Sequence, residues 1–167
     1  MDENTITSFT VILEKFYDRL EKDDKFFNYY NVDEIETNNI AHQRAKNYLV
    51  ESLDDFSAIG NLDVDFTDYD SQLEQINFKL YPKEISILVD MMFLKYMERD
   101  LSLLHAMEIN FTPSDLTVFS PANERTSYRN FIADLRMNLD KEIANYIDRD
   151  RVTGHLKKMI DYSAYDM

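Results

Sequence analysis

The sequence predicts an all-α fold: a helical bundle of about four main helices, with an acidic irregular loop and a short C-terminal tail. Three observations lead there. Apolar residues recur at spacings of three and four over long stretches, the spacing of one face of a helix. Two glycines and three prolines supply little turn material, whereas a strand-rich chain needs a turn every 8–12 residues or so. A chain of 167 residues with 44% hydrophobic and 13% aromatic content has the size and apolar material for one folded domain.

The first helix is predicted over residues 5–21, with Phe9, Ile12, Leu13, Phe16 and Leu20 on one face. Lys22-Asp23-Asp24-Lys25 interrupts it, and Phe26, Phe27, Tyr29 and Tyr30 form an aromatic patch that reads as core packing rather than as a binding platform. A second helix is expected from Val32 or Asp33 to Ala58, acids in its first turn complementing the helix dipole. Its stripe is Ile35, Ile40, Ala41, Ala45, Tyr48, Leu49, Leu53 and Phe56, and Gly60-Asn61 ends it. Residues 61–80 read as a loop, with a short extended piece where Leu62, Val64 and Phe66 alternate with Asp63 and Asp65.

Pro82 suits the first position of a third helix, expected to run to Met107. Ile85, Leu88, Val89, Met92, Phe93, Tyr96, Met97, Leu101 and Leu104 cover most of its girth, so it is either central in the fold or buried by a partner. Thr112-Pro113-Ser114-Asp115 reads as a capped helix start, followed at once by another at Ser120-Pro121. The last long helix, residues 121–150, places Ala122, Tyr128, Phe131, Ile132, Leu135, Leu139, Ile143, Tyr146 and Ile147 on one broad side, and Gly154 breaks it. The division is a single domain over residues 1–153 and a tail over residues 154–167, a candidate docking segment.

Composition excludes several function classes. No cysteine means no disulfide and no thiolate metal site. A net charge of −14 argues against ordinary nucleic-acid binding. Residues 1–80 carry net −11, residues 81–167 only −3, and no basic residue stands between Lys46 and Lys79. That stretch reads as a solvated acidic loop or as a surface that repels nucleic acid or meets a basic partner. No apolar run approaches a membrane span, and Met1-Asp2-Glu3-Asn4-Thr5 lacks the basic start of a signal peptide, so the expectation is a cytosolic protein or one in a particle assembled there.

Catalytic patterns are not found. There is no Gly-x-Ser-x-Gly, and His42, His105 and His155 have no patterned partners, so each reads as a surface or packed histidine. His105 and Glu108 stand one turn apart, but a bundle metal site needs such pairs on facing helices. Asp63, Asp65, Thr67 and Glu74 match positions 1, 3, 5 and 12 of a calcium loop. Position 6 is Asp68 where the sharp turn needs glycine, so the acidic loop remains the default over calcium binding. No catalytic, cofactor-binding or metal residue is assigned, and no cofactor is expected.

Two segments carry a resemblance. Ile76-Asn77-Phe78-Lys79-Leu80-Tyr81-Pro82-Lys83-Glu84-Ile85-Ser86-Ile87-Leu88-Val89-Asp90-Met91-Met92 and Phe119-Ser120-Pro121-Ala122-Asn123-Glu124 resemble the neck proteins of tailed bacteriophages, the head–tail connectors or adaptors that attach below the portal. The likeness spans roughly residues 76–147. It implies a helical-bundle subunit of a homo-oligomeric ring, typically dodecameric, in the virion neck, assembled in the host cytoplasm. Its implied partners are the portal and the tail or neck proteins, with DNA passing through a channel without sequence-specific binding and with no membrane contact. It implies no enzyme activity. The alternative is a small acidic regulatory or inhibitory protein that mimics nucleic acid. A metal-using enzyme hidden in the bundle is a third reading, opposed by stripes that are apolar where inward ligands belong.

Overall fold

A computed structural model describes residues 6–20, 24–27, 29, 32–60, 62–110 and 122–157. In chain order the elements are β1 (Thr7–Ser8), α1 (Phe9–Leu20), α2 (Asp24–Phe27), α3 (Glu34–Ala58), β2 (Tyr69–Asp70), β3 (Gln75–Ile76), α4 (Pro82–Asn110) and α5 (Ala122–Ile147). Four long helices make the bundle, as predicted.

α1 begins later than residue 5 because the backbone before it is extended: Thr7 and Ser8 pair antiparallel with Ile76 and Gln75. The Thr7 hydroxyl donates to the carbonyl of Phe78 (3.1 Å) and accepts from the N–H of Leu80 (2.8 Å), and Ser8 Oγ accepts from the N–H of Thr10 (3.3 Å), capping the helix. All five residues of the predicted stripe are buried. Phe26 follows them into the core, edge-on to Phe16 at 5.6 Å and to Tyr96 at 5.5 Å, so this part of the aromatic patch is packing. Tyr30 lies outside the described residues.

Asp33 caps α3 by accepting from the N–H of Glu36 at 2.8 Å. The helix stops at Ala58, and Gly60 takes the left-handed conformation (φ 75°) that a side chain disfavours. Ala41, Ala45, Tyr48, Leu49, Leu53 and Phe56 are buried as predicted, but Ile35 is 75% exposed. It sits in the first turn of α3, before the helix reaches the core, and burial begins at Ala41.

The loop 61–80 holds two strands, and neither coincides with the alternation of residues 62–66. β2 and β3 join across a turn at 71–74, and β3 lies between β1 and β2 in an antiparallel three-stranded sheet. The loop's acids build its turns. Asp65 accepts from the N–H (2.9 Å) and hydroxyl (2.6 Å) of Thr67, and Asp70 accepts from the N–H groups of Gln72 (2.8 Å) and Leu73 (2.9 Å).

α4 is the central helix: α1, α3 and α5 all pack on it. Ile85, Ile87, Leu88, Val89, Met91, Met92 and Tyr96 are buried, so the fold itself covers the apolar girth of its first half. α5 returns antiparallel, with Glu142 against Lys83 (3.2 Å) near the start of α4 and Tyr128 against Asp100 (3.0 Å) further along it. Ile132, Leu139, Ile143 and Tyr146 are buried, whereas Phe131 of the predicted stripe is 46% exposed, because α5 has α4 as its main helical neighbour and only a narrow face is covered.

α5 ends at Ile147, short of both Asp150 and Gly154. Residues 148–157 instead fold as a hairpin, in which the N–H of Asp150 donates to the carbonyl of His155 and that of Lys157 to the carbonyl of Asp148, each at 2.8 Å. Gly154 (φ 69°) serves this turn rather than stopping the helix. Residues 154–157, read from the sequence as the start of a tail, are thus part of the described fold. The helix starts proposed at Thr112 and at Ser120-Pro121, and the remainder of the tail, lie outside the described residues.

Candidate functional site

The most constrained polar site is at the start of α4. Tyr81 precedes Pro82, and Glu84 reaches back to accept from the Tyr81 N–H at 2.7 Å, one half of a capping box. That leaves a carboxylate wholly buried, at 0% exposure. Isolated, such a charge is prohibitive. Two residues from the far end of the chain neutralise it. The Tyr146 hydroxyl donates to Glu84 Oε1 at 2.6 Å, and Arg151 binds both carboxylate oxygens, Nε to Oε1 and Nη2 to Oε2 (3.0 Å). Arg151 also donates to the carbonyl of Lys79, and its guanidinium lies over the rings of Tyr81 (4.8 Å) and Phe78 (5.3 Å).

Burial, with the hydrogen bond to Glu84 second, pushes the Tyr146 phenol well above its ordinary range. Burial is the largest single influence on the Arg151 cation and weakens it, but the hydrogen bond to Glu84, the Glu84 charge and Tyr146 together outweigh burial and raise it overall. The assembly is a fastener: α4, α5 and the hairpin meet at one buried ion pair.

A second polar cluster ties the sheet to α3. Glu74, in the left-handed region (φ 52°), accepts from Lys46 Nζ at 2.9 Å and contacts His42 Nε2 at 3.1 and 3.2 Å. The Lys46 bond first, then His42, hold its carboxyl below the usual range. Nearby Tyr17 is pushed up to about 12, by burial first and then by the Glu74 charge. Tyr17 and His42 also border a shallow groove of about 480 Å3 with Phe27, Asn38, Asn39 and Ala41.

The four calcium-loop candidates do not converge. Asp63 pairs with Lys157 (2.8 Å), Asp65 with Thr67 and Ser57, Thr67 with Asp65, and Glu74 with Lys46 and His42. Among the described residues, no group of three His, Asp or Glu side chains is placed to hold a metal ion, and no helix is long and apolar enough to cross a membrane. His155 is exposed on the hairpin, and the side chain of His105 lies outside the described residues.

Sequence reasoning missed Glu84 and Arg151. Glu84 carried a signal, since it stands three residues after the residue that precedes a helix-starting proline, the position for bonding back to the cap. Arg151 carried none; 67 residues separate the partners. In comparisons with known proteins, no protein-family model, no curated protein and no solved structure matches the chain.

Proposed function

We propose that this chain is a structural subunit of a phage neck: a head–tail connector, or adaptor, that attaches below the portal as a homo-oligomeric ring and forms part of the channel through which DNA passes. On this reading it is not an enzyme, and it resides in the virion after assembly in the host cytoplasm. The observation that carries the reading is the resemblance of residues 76–92 and 119–124 to such proteins.

Two features of the fold support it. α4 runs 29 residues, from Pro82 to Asn110, a length of about 40 Å. With α5 running back beside it, this makes an extended helical pair suited to contacting neighbours. The exposed acids are also suited to a channel wall, because like charge lets DNA slide without contact ion pairs. The polar clusters work as fasteners between segments, which is what a load-carrying subunit requires.

The test is solution mass by light scattering at several concentrations, alone and with purified portal protein. A ring, alone or only with the portal, is expected. A monomer that stays monomeric with every virion component, and that binds a basic DNA-handling protein tightly, overturns the connector in favour of the acidic mimic.

A further inference from the structure

The pocket that holds Arg151 is built without it. Glu84 is fixed from the body of the fold: the Tyr81 N–H donates to Oε2 at 2.7 Å and the Tyr146 hydroxyl to Oε1 at 2.6 Å. Each carboxylate oxygen thus has a neutral donor behind it and a second lone pair in front, side by side, the pattern that a guanidinium fork fills. Phe78 and Tyr81 flank that position, their ring centroids 5.3 and 4.8 Å from the guanidinium carbon, and the Lys79 carbonyl adds a further acceptor. A planar carboxylate, two aromatic walls and a carbonyl favour a guanidinium over an ammonium. The neighbouring lysines are engaged elsewhere, Lys83 with Glu142 at 3.2 Å and Lys157 with Asp63 at 2.8 Å.

The hairpin that supplies Arg151 contributes little else. Of residues 148–157 none is buried, only Arg151 and Lys157 are half-buried, and Val152 and Leu156 stand 68% and 67% exposed. Its shape is kept by its own bonds: Asp150 Oδ1 accepts from the N–H groups of Val152 (3.1 Å) and Thr153 (2.7 Å), and Arg149 donates to the carbonyl of Gly154 at 3.0 Å. Beyond its link to α5, its attachment rests on the Arg151 side chain and on Asp63, which accepts from the Arg151 N–H at 3.3 Å and pairs with Lys157. A pair as exposed as Asp63–Lys157 contributes little. The hairpin is a self-shaped strap fastened through one arginine.

We infer that the Glu84 pocket is a recognition site for an alkylguanidinium, the side chain of an arginine, and that the hairpin 148–157 is a strap that keeps it closed by seating the chain's own Arg151. The inference goes beyond the ring reading and does not depend on it. The pocket is made by residues 78–84 and Tyr146, so lifting the strap leaves its donors and rings in place. An arginine presented by a partner protein exchanges one guanidinium for another, while Arg151 returns to water. Such an exchange conserves the buried ion pair, so it is decided by the remaining contacts, of which the strap has few.

The test empties the pocket in the full chain with Arg151→Ala and offers n-propylguanidinium, with n-propylammonium as the control at equal ionic strength, in urea titrations followed by circular dichroism. With the probe at about ten times its dissociation constant, the folded-to-unfolded ratio of Arg151→Ala is expected to rise roughly tenfold and to saturate. Propylammonium on the same variant, and propylguanidinium on Arg151→Ala/Glu84→Gln or on the wild type, are each expected to change that ratio less than about twofold. Should Arg151→Ala be unfolded alone, recovery of its helical signal with propylguanidinium and not with propylammonium is the same result. No rise in Arg151→Ala, an equal rise with propylammonium, or an equal rise in Arg151→Ala/Glu84→Gln overturns the recognition site. An equal rise in the wild type overturns the strap, because the probe then binds while Arg151 is seated.

Discussion

Replacing Arg151 with methionine keeps much of the side-chain stem and removes only the guanidinium. Glu84 is then left fully buried with two neutral donors, the Tyr146 hydroxyl and the Tyr81 N–H. Removing one partner of a buried pair costs about 3–5 kcal/mol, because the remaining charge is uncompensated. The Arg151 side chain is 13% exposed, so water reaches the vacated space and the lower end, about 3 kcal/mol, applies. That is a large part of a typical stability of roughly 5–15 kcal/mol. With a urea dependence of about 2 kcal/mol per molar, the unfolding midpoint should fall by about 1.5 M. Glu84→Gln/Arg151→Met removes both charges, and glutamine still accepts from Tyr146, so the double variant should recover at least half the loss. A single variant that shifts the midpoint by less than about 0.3 M would refute the reasoning: the pair would then be solvated and the hairpin undocked.

Three further outcomes follow from the same structure. The Tyr17 phenol is raised to about 12 from 10.0, so the native state keeps a proton that the unfolded chain releases. Its contribution is whole below pH 10.0 and is lost as pH rises toward about 12, so Tyr17→Phe should flatten alkaline destabilisation followed by urea midpoints across that window. Glu74 has the opposite sign: its lowered carboxyl stabilises the fold at neutral pH, and the contribution is lost as pH falls below the usual carboxylate range. Glu74→Gln should cost about 1 kcal/mol at neutral pH and almost nothing in strong acid, an equal loss at both pH values contradicting the assignment. Phe66, at 0% exposure and 4.5 Å from the Phe56 ring, should lose about 3–5 kcal/mol on change to alanine, while Ile35→Ser should stay within about 0.5 kcal/mol in the same denaturant titration.

What was legible follows from range. A helix face is written in residues three and four apart and a helix start in the few residues around it, so the stripe of α1, the start of α3 near Asp33 and the Pro82 start could be read directly. The period gives the direction of a face but not where the neighbouring helix stops, and Ile35 and Phe131 were misjudged for that reason. The sheet was illegible because its strands are two residues long and one partner, β1, lies about seventy residues away. Gly154 was read as the break of the last helix, which instead ends at Ile147, and the hairpin that Gly154 serves is set by bonds among Asp148, Asp150, His155 and Lys157. The apolar girth of α4 left two outcomes open, and the surrounding helices decided between them for its first half.

The placement of the perturbed groups bears on whether this surface does chemistry or assembly. Shifted proton affinities mark an active site when they converge on one cleft. Here they are dispersed: Tyr146 is bound to Glu84, Glu74 to Lys46 and His42, Asp65 to Thr67, and Asp150 to Thr153. Two of these clusters join segments distant in sequence, and the other two close local turns. Each of these contacts therefore fixes backbone geometry, with the ionised or protonated form held by a neighbour. Such fixing matters most where the exposed surface must keep one shape, and the stiffest example, the hairpin clamped by Arg151, also presents Val152 and Leu156 to solvent. Rigid presentation of exposed apolar side chains is the arrangement expected of a docking surface.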